Sequence, residues 1–513
     1  MKKIITLVIW LFLNASFSLM AADKINIAIS AIPSNINPFF STDANSQNIN
    51  RLVHMALVDF NQQMKFECKA CSSFTEKNEG SKQIFFFKLR EDLTFADGTQ
   101  VTAEDVKKSW EYFAKNQKIQ STFMGSFEII ENVVVLDKFN LVITYSSFSL
   151  ENLSNLAMLK IVKLKDPTNP SMDPLDVIGC GDYLLTKILP LEIVVTPKDK
   201  SKMTFNFKVV KDETTLALKL INKEIDLSVA SMSPRKVNWL KTKGADLTVW
   251  QIPSGNFSFM GLNHKREFFK DIKLRQAISL LIPRNDILKY KLKDTVVLSV
   301  GMFSPAFAEM YDVKPVEAYD LKLARQLIME AGYKKNANGF LVKNGKVLEL
   351  DWKVSNNKAS IEIVEVIQSF LEKEGFKINV SIQEWGTYMS SFKGGKFDVV
   401  LGQWVGFTGP DMMKFVYYSQ NTPPKGGNRT SYNNPEFDKA IDIATIEIDS
   451  VKRNLEYKRA LNIINRDYAY VNLWHPNIIW IGSNCLKNIK LEPTGGFYPL
   501  LNIEKNHGGA CGK

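Results

Sequence analysis

The sequence predicts an α/β fold, because short strand-forming runs and amphipathic helical segments alternate along the whole chain. A hydrophobic fraction of 45% and a charged fraction of 23% are typical of an ordinary globular protein. The 513 residues suffice for two or three domains with substantial cores. No internal repeat or low-complexity linker divides the chain. Composition alone therefore gives no domain boundaries.

Two strands and one helix are predicted from local signals in the first part of the chain. Alternating apolar residues predict a strand at 24–30, and a second strand-forming run covers 84–89. Thr102 and Asp105 have the spacing of a capping box, which predicts a helix start. The helix is amphipathic, with apolar residues at helical spacing at Val106, Trp110 and Phe113.

After residue 265, helices and strands alternate in a way that predicts a compact α/β lobe. Glycines end two of these helices, since glycine readily adopts the left-handed conformation of a helix stop. The predicted elements are the helix from Asp320 to Gly332, the helix at 359–374 that ends at Gly375, the strands at 377–383 and 397–401, and a helix that starts at Asn434-Pro435.

The first 22 residues have the layout of a secretory signal peptide. Two lysines precede an apolar run from Ile4 to Leu13, and small residues follow as far as Ala22. The run is shorter than the about 20 residues that a transmembrane helix needs, and no later stretch is long and apolar enough. No cysteine near the predicted cleavage site could carry a lipid anchor. We expect cleavage near Ala22 and a mature protein in the periplasm of a Gram-negative cell.

Five cysteines and four histidines limit the metal and redox chemistry of the chain. We interpret the isolated CxxC of Cys68 and Cys71 as a local disulfide, with a metal or redox role as the alternative. Export favours one or two disulfides, of which two would leave one thiol over, and the C-terminal tail is expected to be loose or tethered through Cys511. Because the histidines are dispersed, we expect no metal site and no cofactor.

The formal net charge of +11 is not evidence for a nucleic-acid partner, and we expect none. The lysines are scattered along the chain, without the clustering that a nucleic-acid interface requires. A solvated basic surface explains this charge.

Several separated motifs occur in a fixed order along the chain. The most informative block, KLREDLTFADGT at 88–99, continues directly into VTAEDV at 101–106. The other motifs are Asn37-Pro-Phe-Phe40, Ile178-Gly-Cys-Gly-Asp-Tyr183, Gly261-Leu-Asn263, 271–277, Gly402-Gln-Trp404 and 428–435. Together they resemble the family 5 extracellular solute-binding proteins, the dipeptide- and oligopeptide-binding proteins of ABC importers.

The resemblance implies a periplasmic-binding-protein-like fold of two lobes (type II, similar to cluster C), with an extra subdomain in the first lobe. The implied segments are the signal peptide at 1–22, a discontinuous lobe 1 at 23–44, 165–262 and 478–513, its subdomain at 45–164, and lobe 2 at 263–477. Crossovers near Leu262-Asn263 and Pro476-Asn477 would act as the hinge, and hinge closure around a ligand is a known mode of capture.

The resemblance also implies a function, that of a periplasmic substrate-binding protein. Such a monomer captures a peptide or peptide-like ligand in the interlobe cleft and delivers it to the permease subunits of an ABC importer. We expect no enzyme, since the chain has no GxSxG, HExxH or P-loop motif. Two alternatives remain: a non-peptide ligand such as a chelated metal, an opine or a sugar, and a sensor subunit without a role in import.

One residue departs from the pattern of the family. In family members, a carboxylate three residues after the second-lobe tryptophan pairs with the α-ammonium group of the peptide. Here that tryptophan is Trp404, and the third residue after it is Phe407, which cannot form an ion pair. Asp411 is the nearest acidic candidate for the role. Because a buried charge needs a partner, the loss of this carboxylate strengthens the alternative of a non-peptide or end-blocked ligand, although a peptide stays the main expectation.

The other candidate ligand-binding residues are chosen by position. Trp404 offers a large apolar surface, and Gln403 offers both a donor and an acceptor. The remaining candidates follow the strand at 377–383 or lie in the first lobe: Trp385, Tyr388, Ser34, Asn35, Asn256 and Phe257. Core packing is the alternative for each aromatic residue, since aromatic residues make up 11% of the chain.

Overall fold

The computed structural model describes residues 24–307, 310, 318–406, 409–423 and 425–506. The predicted signal peptide at 1–22, the candidate residue Phe407 and the tail with Cys511 lie outside the described residues.

The strands are numbered in chain order. The first nine are β1 (Lys24–Ile29), β2 (Val58–Phe60), β3 (Phe66–Cys68), β4 (Cys71–Glu79), β5 (Lys82–Leu89), β6 (Ile130–Val135), β7 (Asn140–Tyr145), β8 (Val162–Leu164) and β9 (Val177–Gly179). The next seven are β10 (Tyr183–Leu189), β11 (Glu192–Pro197), β12 (Thr204–Val209), β13 (Leu227–Ser228), β14 (Leu247–Pro253), β15 (Phe257–Leu262) and β16 (Val296–Leu298). The others are β17 (Lys334–Lys335), β18 (Leu341–Lys343), β19 (Lys346–Val347), β20 (Glu349–Ser355), β21 (Lys377–Gln383), β22 (Val399–Trp404), β23 (Val471–Ser483), β24 (Leu486–Lys487) and β25 (Glu504–Lys505).

The α-helices are numbered in the same way. Those before residue 300 are α1 (Ala44–Val53), α2 (Ala103–Ala114), α3 (Met124–Phe127), α4 (Glu151–Met158), α5 (Glu213–Ile221), α6 (Pro234–Lys243), α7 (Ile272–Leu280) and α8 (Arg284–Asp286). Those after it are α9 (Leu321–Glu330), α10 (Lys358–Lys373), α11 (Trp385–Lys393), α12 (Met412–Tyr417), α13 (Pro435–Ile446) and α14 (Ser450–Arg466). Short 3₁₀ turns cover Pro174–Asp176, Glu267–Lys270 and Tyr498–Asn502, and a π turn covers Ile287–Lys291.

A mixed sheet of twelve strands forms the centre of the described structure. Its main path is β10-β11-β12-β1-β13-β23-β15-β22-β20-β21, and β14 and β16 pair with β23 outside this path. β1 is parallel to β12 and β13, and β20 is parallel to β21 and β22. Because parallel strands require crossover connections, each end of the sheet is an α/β unit, as the alternating sequence pattern predicted. β23 joins the two units through antiparallel pairs.

β23 changes partners halfway along its 13 residues. The part from Val471 to Pro476 pairs with β15 and β16, and the part from Asn477 to Ser483 pairs with β13 and β14. The chain also crosses between the units at 254–256, and Ser254 donates to the Pro476 carbonyl from its backbone N and its Oγ, at 2.9 and 2.6 Å. The two crossing segments are therefore bonded to each other. β15 follows the segment 254–256 directly and pairs with β22 from Phe257 to Leu262. The predicted crossover near Leu262-Asn263 stays a prediction.

A separate antiparallel sheet, β4-β5-β7-β6, packs against α2. Alternate residues of β5 are buried, so that Phe85 and Phe87 share a core with Trp110 and Phe113 of α2. The Cys68–Cys71 disulfide joins the end of β3 to the start of β4, which confirms the predicted local pairing.

Cys180 is a free, buried cysteine. Burial raises the pKa of its thiol to about 11, so that little reactive thiolate forms at neutral pH.

The helix starts that were predicted from capping signals are confirmed. The Asp105 carboxylate accepts hydrogen bonds from the Thr102 backbone N at 2.8 Å and from its Oγ at 2.7 Å, immediately before α2. The Asp320 carboxylate accepts from the Leu323 N at 2.9 Å before α9, and Gly332 after that helix has φ +88°. α10 and α13 begin at Lys358 and Pro435, within one residue of the prediction.

The strands at 24–30, 84–89 and 377–383 are also confirmed, whereas the strand predicted at 397–401 is displaced and longer. β22 runs from Val399 to Trp404 because β15 provides pairing partners as far as Phe257. Asp398 lies before this strand, where its carboxylate accepts from the Asp351 N at 2.8 Å.

A buried charge network ties the C-terminal segment to the first part of the chain. Asp59 Oδ2 accepts from Arg51 Nε and from Tyr498 Oη, each at 3.0 Å. Burial by itself would raise the pKa of Asp59, but the positive charges of Arg51 and Lys160 outweigh it, so the pKa is lowered. The network joins α1, the strand β2 and the 3₁₀ turn at Tyr498–Asn502.

We predict that Asp59→Asn lowers the free energy of unfolding by about 3–5 kcal/mol at neutral pH, because Arg51 would stay buried without its charged partner. The folded-state pKa of Asp59 is lowered, so its contribution is present above the unfolded pKa of about 4 and is lost as the pH falls through the folded value. The difference between wild type and variant should therefore shrink in acid. Urea unfolding at about pH 7 and about pH 3 measures both effects.

Asp92→Asn is the matched control, because Asp92 forms an exposed ion pair with Arg90 at 2.7 Å. We expect its loss to be below about 1 kcal/mol, as for other exposed pairs. An effect of Asp59→Asn as small as that of the control would contradict the role given to the buried network.

Candidate functional site

The carboxyl end of β22 brings four of the predicted residues together next to the crossing of the two units. In the β15–β22 register, Trp404 lies opposite Phe257 and Gln403 lies opposite Ser258. Ser258 Oγ donates to Gln403 Oε1 at 3.2 Å, and the Gly406 N donates to Asn256 Oδ1 at 3.1 Å. Gln403 is exposed and Asn256 is half-buried, so both amides lie at the surface of this junction.

Trp404 presents much less surface than its predicted role as a ligand platform requires, since it is 8% exposed. Its ring stacks on Phe259 with centroids 6.3 Å apart, and its Nε1 donates to Tyr470 Oη at 3.4 Å. Phe259 and Tyr470 stack in turn at 4.0 Å. Phe257, on the strand next to β22, is fully buried and belongs to the same hydrophobic cluster. Core packing therefore accounts for most of the surface of Trp404 and all of that of Phe257.

Arg429, which the sequence analysis did not single out, lies on this aromatic cluster. Its Cζ is 4.5 Å from the ring centroid of Phe392 and 4.6 Å from that of Trp404, within cation–π distance of both rings. The side chain is half-buried. Burial lowers the pKa of its guanidinium, although an arginine stays charged at any physiological pH. The site therefore contains a permanent positive charge.

The two candidates on α11 differ in exposure. Trp385 is 60% exposed, whereas Tyr388 is 4% exposed. Tyr388 Oη donates to the Leu401 carbonyl on β22, and its ring stacks under Trp385 with centroids 5.8 Å apart. Tyr388 thus anchors α11 to the sheet, and Trp385 offers its ring to solvent.

Ser34 and Asn35, which were chosen from the first lobe, are bonded within their own segment. The backbone N and the Oγ of Ser34 donate to Asp43 Oδ2 at 2.9 and 2.5 Å. Asn35 Oδ1 accepts from the Asn37 N at 2.9 Å. These contacts shape the loop between β1 and α1 and leave Ser34 exposed.

Asp411, the acidic candidate, is half-buried at the start of α12. Burial raises the pKa of its carboxyl to about 6, and the negative charge of Glu151 on α4 raises it further. A carboxyl in these surroundings gains from a cation, so Asp411 keeps the chemistry of an ammonium receptor. Phe407, which stands at the family's anchor position, lies outside the described residues.

The described parts of the chain contain no group of three histidine, cysteine or carboxylate residues that could hold a metal ion. Within those parts, no helix has the length and apolar character needed to cross a membrane. A cavity of about 470 Å³ lies elsewhere, beside Tyr498, and is lined mainly by polar side chains such as Asn61, Lys69 and Arg90. None of the described candidate residues lines this cavity. The junction at β22 thus has aromatic surface, amide groups and one cation, a set suited to binding.

Comparison with protein families identifies one match, to a model described as bacterial extracellular solute-binding proteins, family 5 Middle, over residues 72–426. Oligopeptide-binding protein AppA of Bacillus subtilis is 24% identical over 504 residues, covering 92% of this chain and 89% of that protein. Glutathione-binding protein GsiB of Escherichia coli K12 is 22% identical over 506 residues, covering 93% of this chain and 94% of that protein.

Solved structures share the fold. NikA from Brucella suis in complex with Fe(III)-EDTA has a TM-score of 0.81 at 20% identity, covering 94% of this chain and all of that one. Bacillus subtilis AppA in complex with a nonapeptide has a TM-score of 0.70 at 23% identity, covering 94% of this chain and 98% of that one. The predicted two-lobe α/β fold of the periplasmic-binding-protein type is therefore confirmed.

We predict that substitution of the two tryptophans of the site changes stability by very different amounts. Trp404→Ala should lower the free energy of unfolding by about 3–5 kcal/mol, because it empties a packed aromatic core. Trp385→Ala, at an exposed position, should change it by less than about 0.5 kcal/mol. Urea unfolding without added ligand measures both values. Equal effects of the two substitutions would contradict the difference in burial.

Proposed function

The chain belongs to the bacterial extracellular solute-binding proteins of family 5, and we propose that it captures a peptide or peptide-like small molecule for an ABC importer. The substrate-binding components of transporters make up this family, which is not a family of enzymes. The site agrees with binding, because it combines aromatic surface with amide groups that can pair with a peptide backbone.

The observation that carries the proposal is the extent of the similarity. The chain aligns with 89% of an oligopeptide-binding protein and with 94% of a glutathione-binding protein, so no large part of either relative is missing. One of these relatives is named for oligopeptide binding and the other for glutathione binding. Such ligands need partners for their amide groups, since an unpaired buried polar group costs about 1–3 kcal/mol.

The two units of the sheet are proposed to be the two lobes, with the ligand between them. In this proposal the first lobe is built from 23–44, 165–262 and 478–513 with its subdomain at 45–164, and the second from 263–477. The strand pairing favours the segments 254–256 and 476–477 as the hinge, since β23 and the β14–β15 connection both change units there. Two crossing segments that are bonded to each other are suited to a rotation of one lobe against the other.

Within this cleft, the exposed groups are the proposed ligand contacts. Trp385 and Gln403 offer accessible side chains, and Asn256 adds an amide at the junction. Trp404 would contact the ligand only through its edge, and Tyr388 and Phe257 would support it from below. Asp411, Ser34 and Asn35 remain proposed contacts at the rim.

The cellular setting is also proposed from the sequence pattern and the family. A signal peptide at 1–22 would direct export to the periplasm, where the monomeric protein would meet the permease subunits of its importer. A chelated metal, an opine or a sugar is the alternative ligand, and a sensor role is the alternative use of the same closed state.

Native mass spectrometry tests the proposed function directly. The protein is purified from a Gram-negative periplasm without denaturation, and its bound small molecules are released and fragmented. We expect unmodified peptides of a few residues. A non-peptide compound would move the chain to the alternative ligand class, and a chemically altered product would overturn the proposal of binding without catalysis.

The missing carboxylate predicts how the site treats the amino end of a peptide. Free and N-acetylated forms of the same tripeptide pool should bind with dissociation constants within about threefold of each other, because Phe407 cannot pair with an ammonium group. Isothermal titration calorimetry measures both forms. A preference of tenfold or more for the free amine would assign an ammonium receptor to another residue, and loss of that preference in Asp411→Asn would identify Asp411.

A further inference from the structure

Two aromatic rings contact the guanidinium of Arg429. Phe392 and Trp404 contact the guanidinium at 4.5 and 4.6 Å from their ring centroids. Stacking of this kind uses the charge and the flat faces of the group, whereas its five N–H donors point outward in its plane. Among the described residues, no carboxylate or carbonyl oxygen accepts a hydrogen bond from this side chain, and none forms an ion pair with it.

In this respect Arg429 differs from the other arginines that are buried or half-buried in the described structure. Arg51 and Arg90 donate to the carboxylates of Asp59 and Asp92. The remaining three donate to backbone carbonyls: Arg275, Arg284 and Arg453. Because a cation removed from water is costly without such partners, a guanidinium in the position of Arg429 would gain free energy from an added carboxylate.

Among the described residues, no carboxylate acts on Arg429 as a counter-ion. The groups whose charge acts on it are the phenols of Tyr470 and Tyr388, which are uncharged at neutral pH. The charge that acts on Asp411, at the start of α12, is that of Glu151, which raises the pKa of the Asp411 carboxyl. The position where the family keeps a carboxylate is occupied by Phe407. The described part of this cleft is therefore positive where a peptide-binding site of the family is negative.

We propose that Arg429 receives a carboxylate of the bound molecule, so that this protein selects its ligand by an acidic group and not by an ammonium group. The inference rests on the proposed function, because it names the charge of the ligand that the same cleft takes. A planar guanidinium that rests against two rings presents a fork of donors that matches the two oxygens of a carboxylate. The fitting ligands are peptides held by their C-terminus and small molecules rich in carboxylates.

The test compares a pool of free-acid tripeptides with the same pool amidated at the C-terminus, and adds Fe(III)-EDTA as a carboxylate-rich probe without a peptide bond. Each probe is titrated calorimetrically against the full mature chain and against Arg429→Gln. Wild type should bind the free acids about tenfold to a hundredfold more tightly than the amides, as expected for a charge-assisted hydrogen bond. In Arg429→Gln this preference should disappear, because the free acids lose their charged partner, whereas the binding of the amides does not depend on that partner.

Arg235→Gln is the matched control, since Arg235 is an exposed arginine on α6 in the other unit of the sheet. It should keep the wild-type preference for free acids. Thermal unfolding of each variant shows that it is folded, and Arg429→Met, which removes the charge and the donors but keeps a long side chain against the rings, replaces Arg429→Gln if the latter is unstable.

The outcomes separate the inference from the proposed function. If no tripeptide binds but Fe(III)-EDTA binds in an Arg429-dependent way, the peptide proposal is wrong and the role of Arg429 is supported. If wild type binds acids and amides alike, or Arg429→Gln keeps the preference, Arg429 is not a carboxylate receptor, whatever the peptide binding. Absence of any Arg429-dependent binding among the three probes overturns the inference as well.

Discussion

The architecture depends on one strand, β23, whose backbone hydrogen bonds extend into both units of the central sheet. A strand inside a sheet must satisfy its donors and acceptors on both sides, so every neighbour of β23 is positioned by it. The partners change at Pro476, a residue that has no N–H to leave unpaired. Ser254 bonds to the carbonyl of the same proline, which holds the second crossing segment beside the first. The candidate site follows from this arrangement, because β15 starts immediately after that segment and sets the position of Trp404.

The elements that could be predicted from the sequence are those whose ends depend on neighbouring residues. The start of α2 at Ala103 and the start of α9 after Asp320 follow from carboxylates that bond to N–H groups within three residues. The Cys68–Cys71 disulfide is local in the same sense. The crossing at 254–256 could not be predicted, because it is set by pairing with a strand more than 200 residues away. β14 and β15 pair with different halves of β23, and no sequence pattern within 247–262 indicates where the change occurs.

Some of the candidate ligand-binding residues lie together in the structure, and their role in binding stays a prediction. Trp404, Gln403 and Asn256 were chosen by their positions in the family's order of motifs, and they lie at one junction in the structure. The motif order did not predict the burial of these side chains. Trp404 is covered by the Phe259 ring on β15, and Tyr388 on α11 is bonded to the Leu401 carbonyl on β22. Arg429 lies within the motif at 428–435, which the sequence did not mark as a binding element. Only the tertiary structure shows its contacts with two aromatic rings and that no described residue accepts a hydrogen bond from its side chain.

The order of strand pairing also bears on how the chain is made. β1 pairs with β12 and β13, and β13 in turn pairs with β23, close to the C-terminus. Tyr498 reaches back to Asp59 and Lys505 to Asp226. Contacts so distant in sequence form slowly, and they cannot form at all before the last strands have been synthesised. The central sheet of a nascent chain therefore cannot be completed until synthesis of the chain is nearly finished.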